Sequence, residues 1–311
     1  MIEHSRDAVL VVGFGGPERP EEIRPFLQHV LRGRPVPPSR IETVAHHYEA
    51  IGGRSPINEW TQAQCEALRA RLLERGHELS VRTGMRHAKP FIASTLRDLT
   101  QARVQRIVAV VMASFHDRST LERYASAVNE AKLEAQCPEL VVEYTDGPDE
   151  LPGFVTANEQ HVRAAFARLA ASQREAARLV FTAHSVPTAV GEASGYVARF
   201  ESAAKRIAAA LENHDYGLAY QSRSGAPSER WLEPDICTVI EEEAARGTKA
   251  LVVAPIGFVC DHVEVLYDLD IEARQRAQDR GIELARAATV GTHPAYIDAL
   301  AQTVLARLGQ V

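Results

Sequence analysis

The stretch Ala250-Leu251-Val252-Val253-Ala254-Pro255-Ile256-Gly257-Phe258 decides the fold. Its opening run is apolar without alternation, which predicts a strand covered on both faces rather than one wetted on one side. Proline and glycine then stop the strand, and a helical pattern from Glu264 to Arg280 follows. A second stretch has the same form: Arg106-Ile107-Val108-Ala109-Val110-Val111-Met112-Ala113-Ser114-Phe115 runs into a helix reaching Tyr124, as the first runs into one carrying Tyr267.

Outward from these two, the rhythm continues along the chain. Strands are expected at Ala8 to Val12, Leu79 to Thr83, Ile107 to Met112, Leu140 to Tyr144, Leu179 to Thr182, Tyr216 to Gln221, Ala250 to Ala254 and Glu283 to Ala287. Helical patterns lie between them at Trp60 to Arg75, Pro90 to Thr100, Leu121 to Gln136, Phe154 to Ala170, Tyr196 to Asn213, Asp235 to Arg246, Glu264 to Arg280 and Pro294 to Leu308. Alternation of this kind predicts an α/β protein with parallel, doubly wound sheets and helices on both faces. The breaker Asp146-Gly147-Pro148-Asp149-Glu150-Leu151-Pro152-Gly153 divides the chain into lobes 1–150 and 151–311, each with four strands, and the last helix is placed to pack back on the first lobe. Ligands of such sheets sit beyond the carboxyl ends of the strands, so the informative residues should lie in strand-to-helix loops.

At 311 residues, 45% hydrophobic and 24% charged, the chain can bury a full core. No apolar run approaches the roughly 20 residues that span a bilayer. The start, Met1-Ile2-Glu3-His4-Ser5-Arg6-Asp7, lacks the basic-then-apolar order of a signal peptide, and a cytoplasmic location is expected. A net charge of −6 without a long basic stretch argues against nucleic acid as a partner. Cys65, Cys137, Cys237 and Cys260 are far apart and form no C-x-x-C pair, so neither a structural zinc nor an iron–sulfur cluster is expected. Cys260 is read as a packing residue, with a soft ligand as the alternative.

Glu264, Asp268 and Glu272 recur every fourth residue, which on a helix stacks three carboxylates into one stripe. Like charges so placed repel, and the repulsion points to cations handled along the stripe. Four loops join it. Val11-Val12-Gly13-Phe14-Gly15-Gly16-Pro17 has glycines for tight turning but breaks the dinucleotide fingerprint at Glu18. Tyr48 to Asn58 is a glycine turn whose amides and hydroxyls suit either an anion or a plain cap from Ser55 or Asn58. In Val180 to Pro187, His184 directly follows a strand and can serve as proton acceptor or nitrogen ligand, or as a structural residue. Tyr220 to Gly225 is followed by Trp231, an exposed indole beside an arginine that suits a flat acidic ligand or packing against its own lobe. The alanine- and arginine-rich row from Val162 to Arg178 reads as a solvated helix face.

Together, Thr182 to Pro187, Tyr220 to Arg223 with Trp231 to Pro234, and Pro255 to Asp270 resemble the ferrochelatase family. Tyr48 to Pro56 and Arg32-Gly33-Arg34 resemble its amino-terminal half, so the likeness spans nearly the whole chain. It implies two Rossmann-like lobes with a porphyrin held in the cleft between them and Fe(II) inserted with release of two protons, in haem biosynthesis. Fe(II) is then a substrate, and no organic cofactor is implied. The family's histidine and glutamate fall on His184 and Glu264, as catalytic and metal-binding residues. Asp268 and Glu272 match further acidic positions that hold an outer divalent cation such as Mg(II). Ser55 and Tyr124 match propionate contacts, and Phe14, Arg32, His47 and Trp231 complete the implied porphyrin site. His87 resembles a loop histidine near the cleft.

The chain also departs from the family's pattern. Phe14 stands where the soluble bacterial branch has a tyrosine able to ligate product iron, Leu31 replaces an arginine of an Arg-Arg-Gly-Arg run, and His47 replaces another arginine. Arg32, Arg34, Arg54 and His47 are the expected compensating cations. Coproporphyrin III is expected before protoporphyrin IX, in a monomeric enzyme without a transmembrane segment. The alternatives are a porphyrin, haem or iron carrier, and a cobalt or nickel chelatase of a reduced tetrapyrrole.

Overall fold

The structure, a computed structural model, describes residues 6–32, 37–213, 215–224 and 228–310. The chain divides into two compact units. One comprises the residues up to Ala113, Thr120–Gly147 and those from Tyr296 on; the other comprises Ser114–Ser119 and Pro148–Ala295.

The first unit holds β1 (Asp7–Gly13), β2 (Ser80–Met85), β3 (Arg106–Val111) and β4 (Val141–Tyr144) in the order β2-β1-β3-β4. All pairs are parallel, with Val11 opposite Thr83 on one side and Val110 on the other. Val9, Leu10, Val11 and Val12 are essentially without exposure, as expected for a strand buried on both faces. Leu10, Val12, Ile107, Ala109 and Val111 pack on one face with Ile92, Leu96 and Leu99 of helix Ile92–Gln101 and Tyr124 and Val128 of helix Arg118–Glu134.

The second unit repeats the plan with β5 (Arg178–His184), β6 (Tyr216–Gln221), β7 (Ala250–Ala254) and β8 (Glu283–Arg286) in the order β6-β5-β7-β8, again all parallel. Val180, Leu251 and Val253 meet Val239 and Ile240 of helix Ile236–Ala245 and Val265 and Leu269 of the segment after β7. In both sheets the strand order reverses beside the first strand, so the loops leaving β1 and β3, and those leaving β5 and β7, diverge at a switch point.

Three expectations change. Helices Ile23–Val30 and Pro38–Ala50 occupy the stretch between the first strand and the first expected helix, which no periodic pattern had marked. The row from Val162 to Arg178 is not one solvated face: Val162 and Ala165 are fully buried, the helix Pro152–Arg168 ends before Leu169, and Arg178 already opens β5. The expected helix from Glu264 to Arg280 is three pieces, an α turn Val263–Leu266, a π-helical stretch Asp268–Ala273 and an α stretch Arg274–Asp279. The widened turn shows in the Glu272 N–H, which donates to the Tyr267 carbonyl five residues back at 2.9 Å.

Candidate active site

One catalytic candidate sits where a buried strand lets go of its sheet, and the other in the helical turn Val263–Leu266 that follows the neighbouring strand β7. His184 is the last residue of β5, paired in register with Gln221 of β6, while the ladder to β7 has already ended at Phe181 and Ala254. Beyond β7 the chain crosses the end of β5 at Gly257, whose N–H donates to the Thr182 carbonyl at 3.0 Å. A Cβ at Gly257 would lie 2.6 Å from both Cα and Cβ of Ala183, so only glycine permits this approach. The crossing aims the loop so that Glu264 comes back over the strand end.

Glu264 Oε2 lies 3.0 Å from His184 Nδ1, with the two side chains 36% and 30% exposed. Burial alone would raise the Glu264 pKa. The charge of His184 opposite, its hydrogen bond and His262 together outweigh that, and hold the carboxyl down at about 2. His262 caps the turn that presents Glu264: its Nδ1 accepts from the Glu264 N–H at 3.3 Å, and its ring stands edge-on to Phe258 at 5.0 Å. Burial pushes the His262 pKa down, against the pull of Glu264 and Asp261, which keeps Nδ1 an acceptor.

Main-chain carbonyls on both sides of the pair are held by side-chain donors. The Tyr196 hydroxyl donates to the His184 carbonyl at 2.9 Å, and the Gln221 amide donates to the Glu264 carbonyl. Arg286, 13% exposed, forks between Asp261 at 3.0 Å and Asp270 at 2.8 Å and so ties the loop to the π-helical stretch. Burial works against its charge, yet the two carboxylates raise its pKa.

The acidic stripe is graded in depth. Glu264 is partly open, Asp268 is 6% exposed and Glu272 is exposed. Burial pushes the Asp268 pKa up to about 8, with Glu264 and Glu272 adding to the rise, while the Ser222 hydroxyl, which donates to Asp268 Oδ2, opposes it. Glu272, though its side chain is exposed, is raised too, by partial burial of its carboxyl and then by Asp235. No group of three or more His, Cys, Asp or Glu side chains close enough to hold a metal ion occurs among the described residues. The stripe as it stands therefore does not fit a preformed outer cation cage. Cys260 is 4% exposed and burial raises its pKa, which opposes the thiolate a soft ligand would need.

The remaining candidates fall on separate elements. Trp231 is half-buried rather than exposed: its backbone bridges Pro187, and its indole N–H donates to Glu229 at 3.0 Å. Arg223 donates to the Glu229 carbonyl of the same loop.

In the first unit, Phe14 follows β1 at the switch point, 4.6 Å from the His87 ring and edge-on to Phe26. The Arg86 guanidinium lies over Phe14 at 5.7 Å and over Tyr124 at 4.9 Å. Nothing in a linear pattern marks Arg86, because the two rings that flank it come from distant segments. Tyr124 is 7% exposed on helix Arg118–Glu134. Ser55 is buried and accepts from the Ile57 N–H at 3.4 Å, while Asn58 holds both the N–H and the carbonyl of Gly16 at 3.0 Å instead of capping its own helix.

Arg32 is exposed, its guanidinium 3.4 Å from His29 Nδ1, and Arg54 pairs with Glu59 at 2.6 Å. Burial, with Arg40 and His46 nearby, pushes the His47 pKa down to about 4, which opposes the charge it would need to stand in for the missing arginine. Arg34 and Gly225 lie outside the described residues.

The sequence profile of the ferrochelatase family matches residues 6–308. The chain is 39% identical to a coproporphyrin III ferrochelatase of Streptomyces coelicolor, over 97% of this chain and 86% of that one. It is 43% identical to a coproporphyrin III ferrochelatase of Mycobacterium ulcerans over 91% and 82%, and 38% identical to a ferrochelatase of Rhodopirellula baltica over 98% and 87%. Among solved structures, the sirohydrochlorin chelatase SirB of Bacillus subtilis in complex with cobalt superposes with a TM-score of 0.57 at 12% identity, over 96% of this chain and 94% of that one, a likeness of fold alone. A profile matched over nearly every residue and relatives near 40% identity lead to one conclusion: the chain belongs to the ferrochelatase family, enzymes that insert iron into porphyrins.

Proposed function

We propose that this chain inserts Fe(II) into coproporphyrin III, in preference to protoporphyrin IX, as a step of haem synthesis, with His184 and Glu264 receiving the metal and the two pyrrole protons. The observation that carries the assignment is the 3.0 Å contact between His184 and Glu264 at the carboxyl end of β5. An imidazole nitrogen and a carboxylate suit Fe(II) without the lasting grip of several thiolates, so release stays possible. Glu264, held ionised, is ready as a ligand; once a proton settles on it the attraction between the pair weakens, so the two titrate as a unit.

The choice of coproporphyrin III rests on the names of the actinobacterial relatives. Phe14, Arg32, His47, Ser55, Tyr124 and Trp231 are carried as the porphyrin-binding set, with Arg86 as the cation that the Phe14 and Tyr124 rings flank. Asp268 and Glu272 are a seat for a divalent cation only after rearrangement, and no step is assigned to one. A monomer acting in the cytoplasm, without an organic cofactor or an iron–sulfur cluster, belongs to the same reading. Among the described residues no helix is long and apolar enough to cross a membrane.

The test is an anaerobic assay of the purified protein with Fe(II) and each porphyrin, beside His184→Ala and Glu264→Gln. Both variants are expected to lose about 100-fold or more in turnover, the scale of a lost acid–base group. Porphyrin binding without insertion by the wild type would leave a carrier, and undiminished turnover by both variants would remove the pair from the mechanism.

A further inference from the structure

Tyr196 reaches the site from outside both metal-facing loops. It opens helix Tyr196–Ala210, is 9% exposed, and donates its hydroxyl to the His184 carbonyl at 2.9 Å. On the β7 side the ladder ended at Phe181, while on the β6 side the N–H of the same peptide, that of Ser185, donates to the Gln221 carbonyl at 2.7 Å. Tyr196 is thus the second hold on the peptide that follows His184, and with the carbonyl and the N–H both bonded its plane, and the direction in which the imidazole leaves the backbone, is fixed.

The ring of Tyr196 is itself seated. Phe115 meets it edge-on at 5.4 Å and packs on Phe200, further along the same helix, at 5.8 Å. Phe115 belongs to Ser114–Ser119, the short segment that the chain lends to the second unit between two stretches of the first. That segment is anchored where the Ser114 carbonyl accepts from the Asp149 N–H at 3.1 Å. Arg199, on the same helix as Tyr196, grips Asp149 at 2.7 Å and Glu150 at 2.6 Å, and Arg206 donates to the Asp149 carbonyl at 2.6 Å. Segment, helix and His184 carbonyl thus form one connected set of contacts inside one unit.

We propose that Tyr196 is a positioning residue for His184, seated by Phe115, and that its hydroxyl sets the distance at which the imidazole meets Glu264. The proposal rests on the reading of His184 as the residue that handles metal and protons. Tyr196→Phe removes the hydroxyl and leaves the ring in its packing, which separates positioning from folding.

The experiment measures kcat, KM and the pH profile of anaerobic Fe(II) insertion into coproporphyrin III by the full chain, for wild type, His184→Ala, Tyr196→Phe, Phe115→Leu and the double variant of the last two. Tyr196→Phe is expected to lower kcat by about tenfold, as for a reacting group left free to shift by part of an ångström. KM for the porphyrin should change less than about twofold and the melting temperature by no more than about 4 °C, while the pH profile of kcat moves. Phe115→Leu should do the same more weakly, and the double variant should be no worse than Tyr196→Phe, because both act through one hydroxyl. An unmoved kcat and pH profile in Tyr196→Phe, beside an inactive His184→Ala, would overturn the proposal. Wild-type turnover by His184→Ala would overturn the reading beneath it instead.

Discussion

Replacing Gly257 with alanine places a Cβ 2.6 Å from Cα and Cβ of Ala183, neither of which can swing away as a flexible side chain would. Carbon atoms in ordinary contact stand about 3.5–4.0 Å apart, so the crossing loop and the end of β5 must separate by about 1 Å. The hydrogen bond from the Gly257 N–H to the Thr182 carbonyl, 3.0 Å long, then stretches past useful length. Overpacking of this kind costs about 1–3 kcal/mol and the bond about 1 kcal/mol more, for a total of about 2–4 kcal/mol. Spread over a unit of this size, that lowers the melting temperature by about 5–15 °C.

Catalysis should suffer more than stability, since the strained contact lies next to His184 and upstream of Glu264. A shift near 1 Å in one member of the pair is expected to reduce kcat about 100-fold, measured as anaerobic loss of coproporphyrin III fluorescence at saturating Fe(II). Gly217→Ala in β6 is the control. Its Cβ would meet Val180 at 3.6 Å, an ordinary contact, so activity and melting temperature should stay close to wild type. Gly257→Ala with wild-type kcat and melting temperature would refute the claim that the crossing positions the pair.

The folded pKa of Glu264, about 2, lies below its ordinary 4.5, so its contribution to stability is present above about pH 4.5 and lost as pH falls toward 2; the difference in melting temperature between wild type and Glu264→Gln should shrink over that range. Asp268 runs the other way. Its pKa rises from 3.8 to about 8, so the native state keeps a proton that the unfolded chain releases, and stability falls as pH climbs between these values. Asp268→Asn should therefore gain stability over wild type at pH 8 and little at pH 4, and an equal gain at both would contradict the burial argument. Arg286→Met takes the shared cation from Asp261 and Asp270 and leaves Asp270 only Arg274 at 3.3 Å, and since both acids keep about a fifth of their surface exposed the cost should be about 2 kcal/mol, read by chemical denaturation. A cost near zero would show that the fork does not hold the loop.

The two sheets were legible because their strands are apolar runs bounded by breakers, a signal carried by each residue and its neighbours alone. The helices at 23–30 and 38–50 were not: Ile23, Phe26 and Leu27 do recur at helical spacing, but over only eight residues, and Pro38–Ala50 buries no more than Ala45 and Tyr48. The site divides in the same way. His184 and Glu264 stand out as a polar residue at a strand end and an acid at a helix start. That Trp231 is half-buried and bridged to Pro187, and that burial and Arg40 oppose a charge on His47, are facts of distant neighbours that a string does not carry. Arg86, Tyr196, Gln221 and Arg286 act through rings and carbonyls that no spacing connects.

Local chemistry thus marked the alternating elements and the parallel sheets, and singled out a histidine at a strand end and an acid at a helix start as candidates, because side-chain pattern and turn residues act over a few positions. Tertiary structure alone decided that the acidic row is not one α-helical stripe but a partly open Glu264, a buried Asp268 and an exposed Glu272 across a π-helical turn. It also set the two acids apart, the Glu264 pKa lowered by the imidazole of His184 and the Asp268 pKa raised by burial. The reason is electrostatic. A carboxylate's state depends on whether an imidazole, a hydroxyl or only apolar atoms face it, and those neighbours are assembled by the crossing at Gly257 and the switch point between β5 and β7.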